Sequence, residues 1–310
     1  MPRVKCGPAA RRTRVAGIFA VLCSLIVTVV GPAAPASALV TTVCALSADG
    51  TAVYRYDGAS WIQLGRAANR LYGNEFGLFA QTDTGFVRYL GTPFNWQSIG
   101  SSSNATWAVS QYALYRLSAD RSSVWQWGGS PDNWIQLGGG PAGWMYGAAA
   151  TVYTTTPDGQ GIRYYAGQGT VWRDIPKAGA GGAADLAYSA RGGRLYAIDS
   201  GHHAWLWSTD ILPDGGWVQS FNGQEIIRLT DTDVMYGVRL DGSLMTASGI
   251  VLTTPTSPFP ISDANVDVTL TGTGIYAASP QRDSVWRWTR KNQDWVKISD
   301  LATRQLVACP

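Results

Sequence analysis

Short segments of alternating hydrophobic and polar residues, separated by Gly, Asp and Pro, follow one another through most of the chain. The stretch "AVYRYDGASWIQLG" (52–65) contains two of them, at 53–56 and 61–64, joined by a turn. Strands of this length, rich in Val, Tyr and Trp and bounded by Gly and Asp, are typical of antiparallel sheet. No sustained 3.6-residue periodicity occurs beyond the first 38 residues. We therefore predict an all-β protein.

The pattern repeats about every 40 residues, as "GFVRYLGTPFNWQSIG" (85–100), "SVWQWGGSPDNWIQLG" (123–138) and "SVWRWTRKNQDWVKIS" (284–299) illustrate. A short strand precedes each copy, and its third position is aromatic in six of seven cases. These positions are Cys44, Phe79, Tyr115, Tyr153, Tyr196, Tyr236 and Tyr276. Each unit contains four β-prone segments, which is the signature of a propeller blade. The sequence predicts a seven-bladed β-propeller of four-stranded antiparallel blades. A solenoid is the alternative, but it needs dedicated capping repeats.

The two ends of the chain complement each other. The first repeat begins at its second strand, because only 39–41 precede "TVCAL" (42–46), and the C-terminal "RQLVACP" (304–310) can supply the missing inner strand. The C-terminal strand then completes blade one and closes the ring. This arrangement brings Cys309 beside Cys44, within reach of a disulfide. The other two cysteines, Cys6 and Cys23, lie in the first 38 residues, which we expect to be removed on export, and the even pair that remains in an exported protein also indicates a disulfide.

The first 38 residues resemble a secretory signal peptide. Five basic residues precede an apolar run over 15–30, and small residues end at Ala38. The run is too short for a membrane-spanning helix, so we expect secretion and no stable membrane insertion. Residues 39–310 are then a single propeller domain. The predicted blades are 39–65 plus 301–310, 66–100, 101–139, 140–179, 180–223, 224–262 and 263–300.

Charge and residue usage exclude several functions. The signal peptide removes five of 24 basic residues and none of 21 acidic ones, which leaves a net charge of −2 and argues against nucleic acid as a partner. The only histidines, His202 and His203, are adjacent in a strand and therefore point to opposite faces. The sequence contains no GxSxG, HExxH or CxxC pattern. We expect no catalytic residue, no metal and no cofactor.

Aspartates recur four or five residues after the aromatic marker, usually before Gly. They are Asp49, Asp83, Asp120, Asp158 and Asp241. One interpretation is a turn in which Asp accepts backbone hydrogen bonds. The other is a rim of carboxylates that binds sugar hydroxyls or calcium. Asp231 and Asp233 could also contribute to a calcium site, but calcium needs about six to eight oxygen ligands.

Two sets of aromatic residues offer a similar choice between packing and binding. The third strand provides candidate carbohydrate-binding residues, which are Arg55, Tyr56, Arg88, Tyr89, Trp127, Tyr164, Trp207, Arg287 and Trp288. Packing between blades is the other interpretation of this set, and it is slightly favoured. The outermost strand starts with tryptophans predicted to be structural, which are Trp61, Trp96, Trp134, Trp172, Trp217 and Trp295. The sixth repeat, "SLMTASGIVLTTPTSPFP" (243–260), lacks both features and is predicted to be a degenerate blade.

The blade phrase "LYRLSADRSSVWQWGGSPDNWIQLGGGPA" (114–142) resembles the tectonin and tachylectin-like propeller repeats. The resemblance extends over about 43–299 and implies a secreted lectin-like protein. Weak sites repeated around the ring would gain avidity on cell-surface or cell-wall glycans, including cell-wall polysaccharide. A secreted protein–protein interaction scaffold without a sugar ligand is the alternative, and a hydrolytic enzyme ranks third.

Overall fold

The computed structural model describes residues 42–74, 76–101, 105–110, 112–148, 151–176, 187–189, 195–208, 215–229, 235–253, 266–289 and 294–310. They form seven antiparallel sheets and one short 3-10 helix, Phe221–Gly223. The sheets belong to one compact unit, Ser37–Pro310. The predicted signal peptide, 1–38, lies outside the described residues. No described helix has the length and apolar character needed to cross a bilayer.

The first four blades each contain four strands, which run in order from the innermost to the outermost. Blade one consists of Thr303–Cys309, Thr42–Ser47, Val53–Tyr56 and Trp61–Gly65. Blade two consists of Arg70–Asn74, Gly77–Thr82, Gly85–Tyr89 and Trp96–Gly100. Blade three consists of Thr106–Val109, Leu114–Leu117, Ser123–Trp127 and Trp134–Gly139. Blade four consists of Met145–Ala148, Thr151–Thr155, Ile162–Tyr165 and Trp172–Ile175.

The remaining blades follow the same order, except that blade six has three strands within the described residues. Blade five consists of Ala187–Ser189, Tyr196–Ile198, Ala204–Ser208 and Gly216–Gln219. Blade six consists of Ile226–Leu229, Tyr236–Arg239 and Leu244–Thr246. Blade seven consists of Val268–Thr271, Gly274–Ala278, Val285–Thr289 and Asp294–Ser299. The prediction of a seven-bladed all-β propeller is confirmed.

The C-terminal strand completes blade one, as predicted. Thr303–Cys309 pairs antiparallel with Thr42–Ser47, and a disulfide joins Cys44 to Cys309 with 5.7 Å between the Cα atoms. The bond is diagonal, because Cys309 pairs directly with Thr42 and Cys44 pairs with Val307. The sequence separation is 265 residues, for which loop-closure entropy suggests a stabilisation of about 5 kcal/mol.

The same C-terminal strand also attaches blade one to blade two. The Gln305 side-chain oxygen accepts the Leu71 N–H at 2.7 Å, and its amide nitrogen donates to the Leu71 carbonyl at 2.9 Å. Arg304 donates to the Ala68 carbonyl at 2.8 Å. Side chains of the C-terminal strand thus bind the backbone at the start of blade two, so ring closure involves two blades.

The hydrophobic core lies between neighbouring blades. Side-chain alternation in each strand points one set of residues toward the preceding blade and the other set toward the next. In the second strand of blade two, for example, Phe79 packs with residues of blade three, whereas Leu78 and Ala80 pack with residues of blade one. The aromatic marker of each repeat is buried in this way, and Cys44 is fully buried in the copy that lacks an aromatic.

The predicted position of the third-strand aromatic is wrong by one residue in blade four. In blade four, Tyr165 pairs with the outer-strand Trp172, whereas Tyr164 pairs with Tyr153. Tyr165 therefore takes the position that was assigned to Tyr164. In blade six, Thr246 lies opposite Tyr236 and is not equivalent to the third-strand aromatics. Because "IRYY" (162–165) contains two adjacent tyrosines, the repeat pattern in the sequence is equally compatible with Tyr164 or Tyr165 at the position opposite the tryptophan.

Candidate binding groove

The third-strand aromatics proposed to bind sugar are buried, apart from the half-buried Tyr164. The exposed fractions are 7% for Tyr56, 8% for Tyr89, 6% for Trp127, 8% for Trp207 and 5% for Trp288. Four of the five pack against the outer-strand tryptophan of their own blade, as in Trp288 and Trp295, whose ring centroids are 5.5 Å apart, and Trp127 lies directly opposite Trp134 in the strand pairing. The ring faces are therefore covered by protein and do not offer a stacking platform to a pyranose.

The neighbouring arginines also lie between structural elements. The Arg88 guanidinium lies 5.4 Å from the ring centroid of Trp127 in the next blade, a cation–π distance. Arg287 lies 5.8 Å from the Tyr276 ring and donates to the Thr273 carbonyl at 2.6 Å. Arg55 is half-buried. These contacts are with rings and a carbonyl, so Arg88 and Arg287 contribute to packing.

The turn carboxylates Asp49 and Asp120 are bound within their own turns. Asp49 accepts hydrogen bonds from the Ser47 hydroxyl at 2.6 Å and from the Thr51 N–H at 3.0 Å. These bonds, led by that of Ser47, lower the pKa of Asp49 to about 2. Asp120 makes the equivalent bonds in blade three, and its pKa is also lowered to about 2. A serine before and a hydroxyl residue after the aspartate thus build an Asx-type turn.

The other turn carboxylates are engaged as well. Asp158 accepts the Gln160 N–H at 3.0 Å, and Asp241 accepts the Ser243 N–H at 2.9 Å. Asp83 differs, since its carboxylate accepts from the Asn69 side chain at 2.7 Å. Within the described residues no group of three His, Cys, Asp or Glu could hold a metal ion. The predicted positions Asp231 and Asp233 lie outside the described residues.

The outer-strand tryptophans connect consecutive blades. Four of them donate the indole N–H to a carbonyl oxygen of the preceding blade or of the residue that directly follows its last strand. The pairs are Trp96 with Leu64 (2.9 Å), Trp134 with Ile99 (3.1 Å), Trp172 with Leu137 (2.8 Å) and Trp217 with Pro176 (2.6 Å). Trp295 is buried, and the buried indole N–H of Trp61 has no hydrogen-bond partner among the described residues.

A glycine near the end of the outer strand makes this contact possible. A Cβ added to Gly65 would lie only 2.6 Å from the indole nitrogen of Trp96, and one added to Gly139 would overlap Trp172. In the "Leu-Gly" (64–65) of blade one and the "Leu-Gly-Gly" (137–139) of blade three, Gly65 and Gly139 therefore leave room for the tryptophan of the next blade. The pattern was present in the sequence, but its partner in the following blade was not predicted.

An apolar groove of about 420 Å³ opens between blades one and two. Its walls are mainly hydrophobic and are formed by Val53, Ala67, Ala80, Val87, Phe94 and Trp96. Besides the indole N–H of Trp96, the polar side-chain groups of the lining belong to Arg66 and Thr82. A volume of this size falls in the range of ligand pockets, which are typically about 300–1,000 Å³.

The groove is present because blade two has a small side chain where the other blades have larger ones. Val87 lies opposite Ala80 in neighbouring strands. The corresponding pairs elsewhere are Tyr54 with Ala45, Trp125 with Arg116, Arg163 with Thr154, Trp205 with Ala197, Met245 with Gly237 and Trp286 with Ala277. In each of these six pairs at least one member is long or aromatic. Only in blade two are both small.

Phe94 adds an exposed aromatic ring to this groove. The side chain is 57% exposed, and its backbone is left-handed, with φ 63°. Two of the equivalent positions, which lie two residues before the outer-strand tryptophan, are also at positive φ, namely Asp132 in blade three and Gly215 in blade five. Asp and Gly tolerate this conformation better than a bulky residue does. The Phe94 N–H donates to the Leu64 carbonyl at 2.6 Å, which holds the turn in place.

A second cleft, lined by residues of blades five and six, is polar. Gln224, Glu225, Arg239, Leu240 and Asp241 line it. Arg239 donates to the Asp241 carboxylate at 2.9 Å and to the Gln224 side chain at 3.3 Å. These groups are paired with one another, so the cleft offers less to a ligand than the apolar groove does.

Comparison with known proteins identifies the fold. No protein-family model matches the chain, and no curated protein sequence matches it. The structure is similar to that of apo AztD from Citrobacter koseri, with 12% identity and a TM-score of 0.59 over 86% of this chain and 97% of that one. YCF48 from Cyanidioschyzon merolae has 14% identity and a TM-score of 0.49 over 79% and 90% of the two chains. A structure of YCF48 bound to D1 peptide has 12% identity and a TM-score of 0.48 over 85% and 84%. The likeness to AztD shows the propeller fold.

Proposed function

We propose that this chain is a secreted scaffold that binds a protein partner and holds a segment of it in the groove between blades one and two. The observation that carries the proposal is the apolar lining of the groove. An apolar side chain gains free energy when it enters such a site, in proportion to the area removed from water.

A sugar would fit the same groove poorly. A pyranose carries several hydroxyls, and each hydroxyl that loses water without gaining a partner lowers affinity. The lining provides the Arg66 and Thr82 side chains, while the indole N–H of Trp96 is already bonded to the Leu64 carbonyl. The balance of polar groups therefore favours a hydrophobic protein segment over a glycan.

The carbohydrate-binding function that the tectonin resemblance implies has less support. It relied on third-strand aromatic rings, of which five are buried between blades, and on turn carboxylates, which accept hydrogen bonds from the protein itself. The rings are covered, and the carboxylates, although exposed, are already engaged in hydrogen bonds within the protein. The proposal accordingly includes one groove and no repeated sugar sites, and it includes no catalytic step.

Burial of one aromatic side chain removes about 150–250 Å² from water, worth about 4–6 kcal/mol before the cost of association. That cost is about 4–15 kcal/mol, so one inserted side chain gives weak binding. A functional partner should therefore also contact surface beyond the groove. Secretion remains part of the proposal, because a disulfide between Cys44 and Cys309 persists best in an oxidising compartment.

The experiment compares two immobilised libraries. The protein is applied to a display of short random peptides and to an array of glycans and bacterial cell-wall polysaccharides. We expect enrichment of peptides whose binding is lost in Val87→Trp, which fills the groove. Binding to glycans and to no peptide would contradict the proposal.

A control for the substitution uses blade six. Met245 occupies the position equivalent to Val87 and is buried, so Met245→Leu changes the same structural position without opening or closing the groove. This variant should bind selected peptides as the unmodified protein does. Loss of peptide binding in both variants would show that the Val87→Trp effect does not come from the groove.

A further inference from the structure

The side chains that fill the equivalent place in other blades indicate what fits the groove. Four of the six are aromatic, namely Tyr54, Trp125, Trp205 and Trp286. Each is half-buried, and Trp286 packs in a cluster that includes residues of the preceding blade. The spacing between blades is thus suited to a planar ring at this depth, and Val87 leaves that space open at one interface.

We propose that the groove takes an aromatic side chain of the partner protein, and that an acidic residue beside it pairs with Arg66. This inference rests on the proposed protein-binding function and specifies the chemistry of the partner. The partner's ring would occupy the place that an aromatic side chain of the chain itself occupies in blades one, three, five and seven.

The walls of the groove are held in place before any ligand arrives. The Leu64 carbonyl accepts the indole N–H of Trp96 at 2.9 Å and the backbone N–H of Phe94 at 2.6 Å. Gly65 allows the Trp96 ring to lie directly against the end of the outer strand of blade one. The Trp96 ring is thus fixed by its own hydrogen bond, and the backbone that carries Phe94 is fixed beside it, so an entering ring can pack edge or face against Trp96 with little further ordering, which preserves affinity.

The charge at the groove is positive and unpaired. Arg66 is exposed, lines the groove, and has no hydrogen-bond or ion-pair partner among the described residues. The nearby cation Arg304 differs, because its guanidinium donates to the Ala68 carbonyl. A carboxylate on the partner would complement Arg66, and charge complementarity of this kind contributes more to specificity and association rate than to affinity.

Three blocked dipeptides serve as probes, N-acetyl-Trp-Asp-amide, N-acetyl-Trp-Lys-amide and N-acetyl-Leu-Asp-amide. Their binding to the protein is measured by saturation-transfer NMR and by titration. We expect the Trp-Asp probe to bind most tightly and the Leu-Asp probe to bind least tightly. Phe94→Ala should weaken the Trp-Asp probe about tenfold, since it removes one wall.

Matched controls separate the groove from general effects. Tyr112→Ala removes another exposed aromatic, outside the groove, and should leave probe binding unchanged. Arg66→Glu should reverse the preference from Trp-Asp to Trp-Lys, whereas Arg173→Glu, at an exposed arginine of blade four, should not. Circular dichroism confirms that each variant is folded.

The outcomes distinguish this inference from the proposed function. If library peptides bind and are lost in Val87→Trp, but the aromatic probe binds no better than the leucine probe, the inference is wrong and the protein-binding function stands. If the aromatic probe binds equally to Phe94→Ala and to Tyr112→Ala, the groove is not its site and the inference is wrong. If neither peptides nor probes bind, both proposals fail.

Discussion

The interface between blades two and three is closed, and the interface between blades one and two is open on its outer side. In the closed interface, Phe86 stacks on Trp107 with ring centroids 4.0 Å apart. The guanidinium of Arg116 lies 4.5 Å from the Trp134 ring, and burial lowers its pKa. In the open interface, Val53 takes the place of Phe86 and Ala80 takes the place of Arg116. Both interfaces nevertheless use the same hydrogen bond from tryptophan to the preceding outer strand.

The tryptophan contact and the packed inner strands therefore set the distance between blades, whereas the side chains between them decide whether the interface is filled. A propeller can therefore open a binding groove by losing bulk at one position of one repeat. The inner half of the open interface stays firmly joined, because Gln305 pairs with both backbone groups of Leu71.

We expect the greatest loss of stability when the disulfide that closes blade one, beside the open interface, is removed. In the double variant Cys44→Ala and Cys309→Ala, the loss of the bond across 265 residues should lower the free energy of unfolding by about 5 kcal/mol. Denaturant unfolding of oxidised protein and variant measures the difference. Equal midpoints would show that strand pairing alone closes the ring. The double substitution avoids a free thiol that could form other disulfides.

The next prediction compares core residues on the two sides of blade two. Phe86→Ala removes a fully buried ring stacked on Trp107 and should cost about 3–5 kcal/mol. Val87→Ala, the adjacent residue on the opposite face, should cost about 1 kcal/mol, because Val87 borders an existing space. Chemical denaturation of both variants checks the ratio. Similar losses for the two would contradict the description of one interface as open.

The sequence predicted the propeller, the ring closure and the disulfide because each follows from regularities along the chain. The aromatic marker recurs at near-constant spacing, and the missing strand at one end matches the extra strand at the other. Cys44 replaced an aromatic at the single copy where Cys309 could reach it. These inferences depend only on the order of the strands along the chain, and they do not require the distances between blades.

The groove could not be predicted in the same way. Val87 is visible as a small residue in the phrase "FVRY" (86–89), beside "VYRY" (53–56) and "VWQW" (124–127). Whether a small residue leaves a space depends on Ala80 across the strand and on residues such as Val53 of the preceding blade. The same limitation explains why the third-strand aromatics were proposed as ligand-binding. Alternation assigns Tyr56 and Trp127 to one face of the sheet but does not show that the neighbouring blade covers that face.

A smaller effect is expected from the tryptophan hydrogen bonds. Trp134→Phe keeps a ring at the position but removes the N–H that bonds to the Ile99 carbonyl, at a cost of about 1 kcal/mol. Trp96→Phe should cost less, because the Leu64 carbonyl still accepts the Phe94 N–H. Thermal unfolding followed by calorimetry measures both. A larger loss for Trp96→Phe would show that its indole has a further role in the open interface.

Filling the groove should stabilise the protein slightly. Val87→Trp copies the side chain of Trp125, Trp205 and Trp286 and adds packing against Val53 and Trp96. We expect a gain of about 0.5 kcal/mol, at the low end for cavity-filling changes because the indole stays partly exposed. Denaturant unfolding measures it. A clear destabilisation would show that the space is too narrow for an indole and would also weaken the inferred ligand chemistry.

The smallest effect concerns the turns on the two sides of the closed interface. The turn of blade three is bonded within itself through Asp120, whereas Asp83 of blade two bonds to Asn69. The Asp120 pKa is lowered to about 2 in the folded protein, below the ordinary value of 3.8. Its contribution to stability is therefore present above about pH 4 and is lost as the pH falls toward 2. Asp120→Ala should lower the Tm at neutral pH, and the difference from the unmodified protein should shrink through this range. A difference in Tm that is constant from neutral pH to pH 2 would show that the carboxylate charge does not stabilise the turn.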